Sequence, residues 1–342
     1  MNHQKLLGLK KSIVVCILML LLFLILSGCK SSGTSSRQTQ LADSEFRKGT
    51  EGVVIAFLKN APPDKIFEET LFPIALSIKN NGATDIGALS ASSSLYTGNG
   101  YLAVGTEQAY VSVIPEGQFI QPIENFHGKS PLSPKGSTDV KTFEATSKRI
   151  GTQSETHPST VFVTACYPYK TSLGTSICVD TDPFGLNNRK KVCTVKDLSF
   201  SGGQGGPVAI TKIEARMAPS QDTDTIVPYF ILTIENRGNG EVIRSDDNKL
   251  RDACSSNPLQ YTDFNRIKVT ATLGGLPLTC GIGDSFEATL RLRNKKDMVN
   301  CYLKDGVSKD IDPYTSPLRI DLDYGYTFTI SKDIIIQKIL RY

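Results

Sequence analysis

The chain has no tryptophan and three histidines, His3, His127 and His157, in 342 residues. That scarcity removes most general-base and nitrogen-ligand chemistry before any motif is sought. No Gly-x-Ser-x-Gly elbow occurs to mark a nucleophilic serine. Beyond the N-terminal apolar run, no stretch keeps a 3.6-residue period, which excludes a helical bundle. An excess of one charge is lacking too. The formal charge is +4, but Lys5, Lys10 and Lys11 precede Cys29 and no acid does. Without them 38 − 3 = 35 bases face 34 acids. A near-neutral chain has no electrostatic footprint for nucleic acid.

What is present is a repeat. Glu51 to Gly82 aligns without a gap with Pro207 to Gly238, at an offset of 207 − 51 = 156. Pro63 falls on Pro219, Leu76 on Leu232, Ile78 on Ile234, Asn80 on Asn236 and Gly82 on Gly238. Each copy reads as two strands joined by a proline-containing loop, with Asn-x-Gly closing the second. Tyr167-Pro168-Tyr169 recurs as Tyr324-Gly325-Tyr326, 157 residues on. Beginnings and ends of two halves thus correspond, as in a tandem duplication. Short strands bounded by turn residues predict an all-β fold of two tandem antiparallel immunoglobulin-like β-sandwiches, at 51–181 and 207–342. Each half is expected to end in its own hairpin. The first turns at Ser172-Leu173-Gly174-Thr175 and the second at Ser331-Lys332-Asp333. Leu89 to Thr97 reads as a further strand. Residues 182–206 read as a linker. Its glycines at 202–206 lack the Lys-Ser/Thr pair and the following helix that a phosphate loop needs.

The N-terminus reads as an export signal over 1–28. Three lysines precede an apolar run from Ile13 to Leu26, and Leu26-Ser27-Gly28-Cys29 resembles a lipobox. Small residues let a signal peptidase approach, and the Cys29 thiol is the atom that takes the diacylglycerol. The rival reading is an uncleaved membrane helix, for which the run is short. Residues 29–50 are mostly Ser, Thr, Gln and Gly and read as a flexible tether.

Strands ending in Ile-x-Asn-x-Gly resemble the second strand of bacterial and archaeal immunoglobulin-like modules of the CARDB-like adhesion kind. The whole pattern is similar to lipid-anchored envelope proteins of archaea and bacteria. It runs from Gly49-Thr50-Glu51-Gly52 through Asn60-Ala61-Pro62-Pro63-Asp64 to the Tyr-x-Tyr motif. The resemblance implies an immunoglobulin-like fold at the cell surface. Its motifs are packing motifs and imply no reaction.

Six cysteines remain after Cys16 and Cys29. An even number in an exported chain points to disulfides, ranked as Cys166 with Cys178, Cys280 with Cys301, and Cys193 with Cys254. Their spacings are too wide for a structural zinc site. Asp246, Asp247 and Asp252 form an acidic cluster that a sandwich loop could use for Ca²⁺, although no EF-hand pattern is present. His127 and His157 read as solvated loop residues. Arg291 to Lys296 reads as a basic run along one strand face.

No cofactor and no catalytic constellation is implied. The expectation is a non-catalytic surface lipoprotein, anchored to the membrane by lipid. Its two domains would bind a protein or glycan partner. The alternative is an assembly subunit of an envelope complex, held through edge strands. A hydrolase with a dispersed acidic site is the third class.

Overall fold

Apolar residues at every second position build the two longest elements. Val161, Val163, Ala165, Tyr167, Tyr169, Leu173, Ile177 and Val179 are buried, and so are Leu318, Ile320, Leu322, Tyr324, Tyr326, Ile334 and Ile336. The period of two never breaks within either run, so each run is one straight strand with one face on the core. The computed structural model describes residues 46–339 apart from 89–96, 117–118, 187–190, 221–223 and 284. The export signal, Cys29, nearly all of the tether and most of the strand expected at 89–97 lie outside the described residues.

In the first half the strands are β1 (Val53–Phe57), β2 (Lys65–Phe67), β3 (Leu71–Asn80), β4 (Gly100–Thr106), β5 (Val111–Ile114), β6 (Ile120–Ile123), β7 (Thr138–Ser147) and β8 (Thr156–Val179). The second half begins with β9 (Leu198–Ser199), β10 (Val208–Pro219), β11 (Thr225–Asn236) and β12 (Glu241–Ile243), then helix α1 (Asp247–Ala253). It continues with β13 (Arg266–Leu273), β14 (Leu276–Pro277), β15 (Thr279–Cys280), β16 (Glu287–Arg291), β17 (Lys296–Tyr302), β18 (Val307–Ser308) and β19 (Tyr314–Gln337). The fold is all-β and layered. A four-stranded sheet β1-β3-β7-β5 belongs to the first half, and a sheet built on β15-β17-β11-β10-β9 belongs to the second. A nine-stranded sheet contains strands of both halves, in the order β14-β13-β19-β8-β4-β6 with β2, β12 and β16 beside it.

The expected closing hairpins are not formed. β8 and β19 pair antiparallel along their whole length, from Tyr314 with Val179 to Gln337 with Thr156. Pro168 pairs with Gly325, its own counterpart in the repeat, so a pseudo-twofold axis passes between them. Each half is thereby completed by the end of the other's last strand. The tip of β19, Ile335 to Gln337, pairs with β2 of the first half. The tip of β8, through Val179, lies beside the start of β19 in the second half. Local turn residues lost to alternation: a hairpin at Ser172–Thr175 would have given up about ten cross-strand pairs, each contributing a few tenths of a kcal/mol or more.

Prolines respect this pairing. Pro158, Pro168 and Pro317 sit opposite Ile335, Gly325 and Ser176. All three occupy positions whose backbone turns away from the β8–β19 ladder, so a missing N–H costs that ladder nothing.

The repeated motifs meet at the waist. Asn80 and Asn236 are buried, and each folds its side chain back on the loop that follows. Asn80 Oδ1 accepts from Gly82 N at 3.2 Å and Nδ2 donates to Thr84 O at 2.8 Å. Asn236 repeats this with Gly238 N at 3.1 Å and Gly240 O at 2.9 Å. A side chain at Gly82 would overlap the Tyr169 hydroxyl, and one at Gly238 would overlap the Tyr326 hydroxyl. Asn-x-Gly and Tyr-x-Tyr are therefore two parts of one joint, the glycine leaving room for the phenol.

Candidate functional site

Two strands of 24 residues outrun their shorter neighbours. β19 has β8 along one edge. On the other, β13 takes Leu318 to Asp323, β12 takes Gly325 to Thr327 and β2 takes Ile335 to Gln337. Residues 328–334 have no strand partner on that side among the described residues. The gap is about 23 Å long at about 3.3 Å per residue.

Which backbone groups face it follows from the alternation. Ile335 N donates to Asp64 O at 2.9 Å, Glu68 N donates to Gln337 O at 2.8 Å, and Gly274 N donates to Pro317 O at 2.8 Å. Odd-numbered residues of β19 thus turn their N–H and C=O away from β8, and the register has no shift to change this. Thr329, Ser331 and Asp333 present theirs to the gap.

A depression of roughly 460 Å³ opens at the β12 end of the gap, lined by Gly240, Glu241, Phe328, Thr329 and Ile330 among others. Phe328 and Ile330 are half-buried and pack against the core from its edge. Gly240 is required here, since an added Cβ would meet Phe328 Cβ at 2.8 Å. At the far end Lys332 Nζ reaches Pro62 O at 2.7 Å and Asp64 Oδ1 at 3.0 Å and holds that rim in place. Exposed Glu241 puts a carboxylate at the β12 end, whereas Asp333 Oδ1 accepts from Thr160 Oγ1 of β8 at 2.8 Å.

The residues nominated from sequence lie elsewhere. Asp246 accepts from Arg244 Nε at 2.7 Å, Asp247 accepts from Tyr101 Oη at 2.8 Å, and Asp252 accepts from Asn257 Nδ2 at 3.2 Å. They sit on or beside α1, each with one carboxylate oxygen engaged by a protein donor. Among the described residues no group of three or more His, Cys, Asp or Glu could hold a metal ion. His127 is exposed, 3.6 Å from Asp85. His157 is not a loop residue: it lies on β8, stacked on Tyr110 with ring centroids 3.6 Å apart, and its Nε2 is 3.2 Å from Glu107 Oε2. The basic run is not one strand. Asn294 and Lys295 have positive φ and turn the chain between β16 and β17. Arg291 stacks over Tyr261 at 4.0 Å, and Lys296 bonds Glu235 at 2.8 Å.

All six cysteines are paired. Cys280 bonds Cys301 as expected, with Cα atoms 4.1 Å apart. The other two pairings differ from expectation: Cys166 bonds Cys254 and Cys178 bonds Cys193. Cys166 and Cys178 share one straight strand, so 178 − 166 = 12 residues hold them about 40 Å apart, far beyond disulfide reach. Cys254 instead brings the end of α1 onto the outer face of the sheet. There Leu250 and Ile243 pack with Tyr101 and Cys166 of the first half. The linker is equally engaged. Gln204 bonds both N and O of Ile210, and Gly205 O accepts from Tyr169 Oη at 2.6 Å.

Away from that apolar cluster the outer face of the central sheet carries ion pairs. Lys170 stands 3.8 Å from Asp323, and Arg319 Nε donates to Asp321 at 3.0 Å. Burial lifts the Asp323 carboxyl above its ordinary range against the pull of Lys170. Burial also lifts Asp321, but hydrogen bonds from Ser172 and Arg319 outweigh it and hold that carboxyl low.

The open gap escaped the sequence reading because it is made by strands distant in the chain. One local signal for it exists, a period of two continuing past Tyr326 through Phe328 and Ile330. No known protein family matches the chain, and no curated protein is similar to it.

Proposed function

We propose that this chain is a non-catalytic, lipid-anchored protein of the extracytoplasmic surface, holding a rigid β-platform for a binding partner. The observation that carries the reading is the bracing across the two halves. The Cys166–Cys254 disulfide, the β8–β19 pairing and the Tyr169–Gly205 bond all join them. Disulfides of this kind persist in oxidising compartments, which agrees with an export signal and acylation at Cys29. A protein or glycan is the expected partner, and neither a cofactor nor nucleic acid belongs to the reading.

The edge-strand assembly reading is disfavoured by how most of the outer edges are built, the apolar β1 edge being the exception. β6 carries Pro122, β14 carries Pro277, β5 runs into Pro115, and β9 is two residues long. The exposed end of β10 is fenced by the Lys212–Glu214–Arg216–Asp197 charge cluster. Short strands, prolines and charges are the usual defences against lateral pairing. The test has two parts. The mature mass should begin at an acylated Cys29, and cutting the tether before Lys48 should release a soluble monomer. An intact mass retaining residues 1–28, or release only as part of a large complex, would sink the reading.

A further inference from the structure

We infer that the gap on β19 between β12 and β2 is a docking slot for a short extended peptide of a partner protein. The slot takes it as an added strand. The inference deepens the binding reading above by naming the site and the chemistry of the occupant, and it does not depend on the anchor.

The hydrogen-bond supply comes first. Thr329, Ser331 and Asp333 each offer one outward N–H and one outward C=O to the gap. A strand laid there satisfies them in ladder geometry, which is how extended peptides gain affinity from main chain alone.

The length of the slot selects the occupant. β12 occupies the neighbouring position as far as Thr327, and β2 occupies it from Ile335. A peptide of about five to seven residues fits the roughly 23 Å between them. A longer edge strand abuts one flank or the other. A second copy of this chain is excluded on the same ground, since its own β19 enters only with its flanking β12 and β2 attached. The gap is therefore closed to sheet-to-sheet polymerisation and open to a single flexible segment.

Side-chain preference follows from the lining. Phe328 and Ile330 are half-buried and face the depression beside β12, so the peptide's inward residues are apolar. Its outward residues lie beside Thr329 and Ser331 and are polar. Glu241 at the β12 end favours a basic residue there and disfavours an acidic one.

The experiment uses the full chain, purified in detergent with its disulfides formed. Residue-resolved hydrogen exchange comes first. In the free protein the amides of Thr329, Ser331 and Asp333 should exchange at least a hundredfold faster than those of Phe328, Ile330 and Lys332, which bond β8. A displayed library of random nonapeptides is then selected against the protein. Enriched peptides should alternate apolar and polar residues, lack an acidic residue at the end beside Glu241, and slow exchange at Thr329 and Ser331 tenfold or more when synthesised and added. Ser331→Pro removes one outward donor at a position of the same kind as Pro317, which the strand already tolerates. It should weaken those peptides tenfold or more and leave the melting temperature within a few degrees. Three results would overturn the inference: equal protection of odd and even amides in the free protein, no enrichment, or peptides that bind Ser331→Pro unchanged.

Discussion

Tyr169 and Tyr326 occupy matching places in the two halves and hold different things. Each phenol accepts a backbone N–H from the loop after its Asn-x-Gly motif, Ala83 N at 2.9 Å for Tyr169 and Gly240 N at 2.7 Å for Tyr326. Their own protons go separate ways. Tyr326 faces Asn236 Oδ1 at 3.4 Å, within its own half. Tyr169 donates to Gly205 O at 2.6 Å, on the segment that joins the halves. The duplicated joint has been kept as a closure in one copy and turned into a fastening for the connection in the other. The edges beyond show the same divergence. The residues of β8 that correspond to Phe328 and Ile330 of β19 are Thr171 and Leu173, both buried. The half-exposed apolar pair that lines the slot belongs to the second copy alone.

The sharpest way to break this comparison is at the glycines. Gly82→Ala drives a methyl into the Tyr169 hydroxyl and to 2.8 Å from both Glu51 O and Gly205 O. A loss above about 4 kcal/mol in denaturant unfolding is expected. Gly238→Ala meets the Tyr326 hydroxyl and Pro207 Cβ and should cost somewhat less. Adding Tyr169→Phe to Gly82→Ala removes the overlapped atom, so the double variant should recover part of the loss. Additive losses would show that the glycine is needed for another reason.

The disulfides test the bracing. The Cys166–Cys254 bond closes 88 residues and the Cys178–Cys193 bond closes 15. Loop-closure entropy then assigns about 4.6 kcal/mol to the first and about 3 kcal/mol to the second. Replacing the first pair by serine should therefore lower stability more. An equal loss for both pairs would mean that the pairing of β8 with β19 already restrains the unfolded chain across the halves.

Removing a phenol hydroxyl is a milder test of the same joint. Tyr169→Phe removes two hydrogen bonds, from Ala83 N and to Gly205 O, which stay bonded to each other at 2.9 Å, and should cost about 2 kcal/mol. Tyr326→Phe strands Gly240 N–H but leaves Asn236 its bonds to the loop, so about 1–2 kcal/mol is expected. Reversal of that order would contradict the fastening role of Tyr169.

The smallest effect is a pH limit. Burial pushes Tyr326 up from 10.0 to about 12, and it lifts Tyr167, Tyr169 and Tyr324 further. An acid whose folded pKa is raised keeps its proton in the fold while the unfolded chain loses it. Stability from this source is complete below pH 10 and falls as pH rises from there toward 12 and above. Ultraviolet titration of the folded protein should leave these four tyrosines un-ionised where the exposed ones have titrated. Ionisation of all tyrosines near pH 10 without unfolding would refute their burial.

The amino-acid sequence by itself determined the all-β class, the duplication and the number of disulfides. These are set by residues close in the chain: side-chain alternation, turn chemistry and composition. The Cys280–Cys301 pair was legible for the same reason, since its two strands are near neighbours. Tertiary structure alone decided which strands complete which half. Ser172 to Thr175 has turn composition, yet the even spacing from Val161 to Val179 is equally that of a straight strand. The choice rested on a partner, β19, about 160 residues away. Cys166 follows from that choice, because a straight β8 carries it away from Cys178 and under the end of α1. The slot follows as well. An edge is open only where every other strand stops short of it, and the lengths of β2, β12 and β19 become comparable only once they lie side by side.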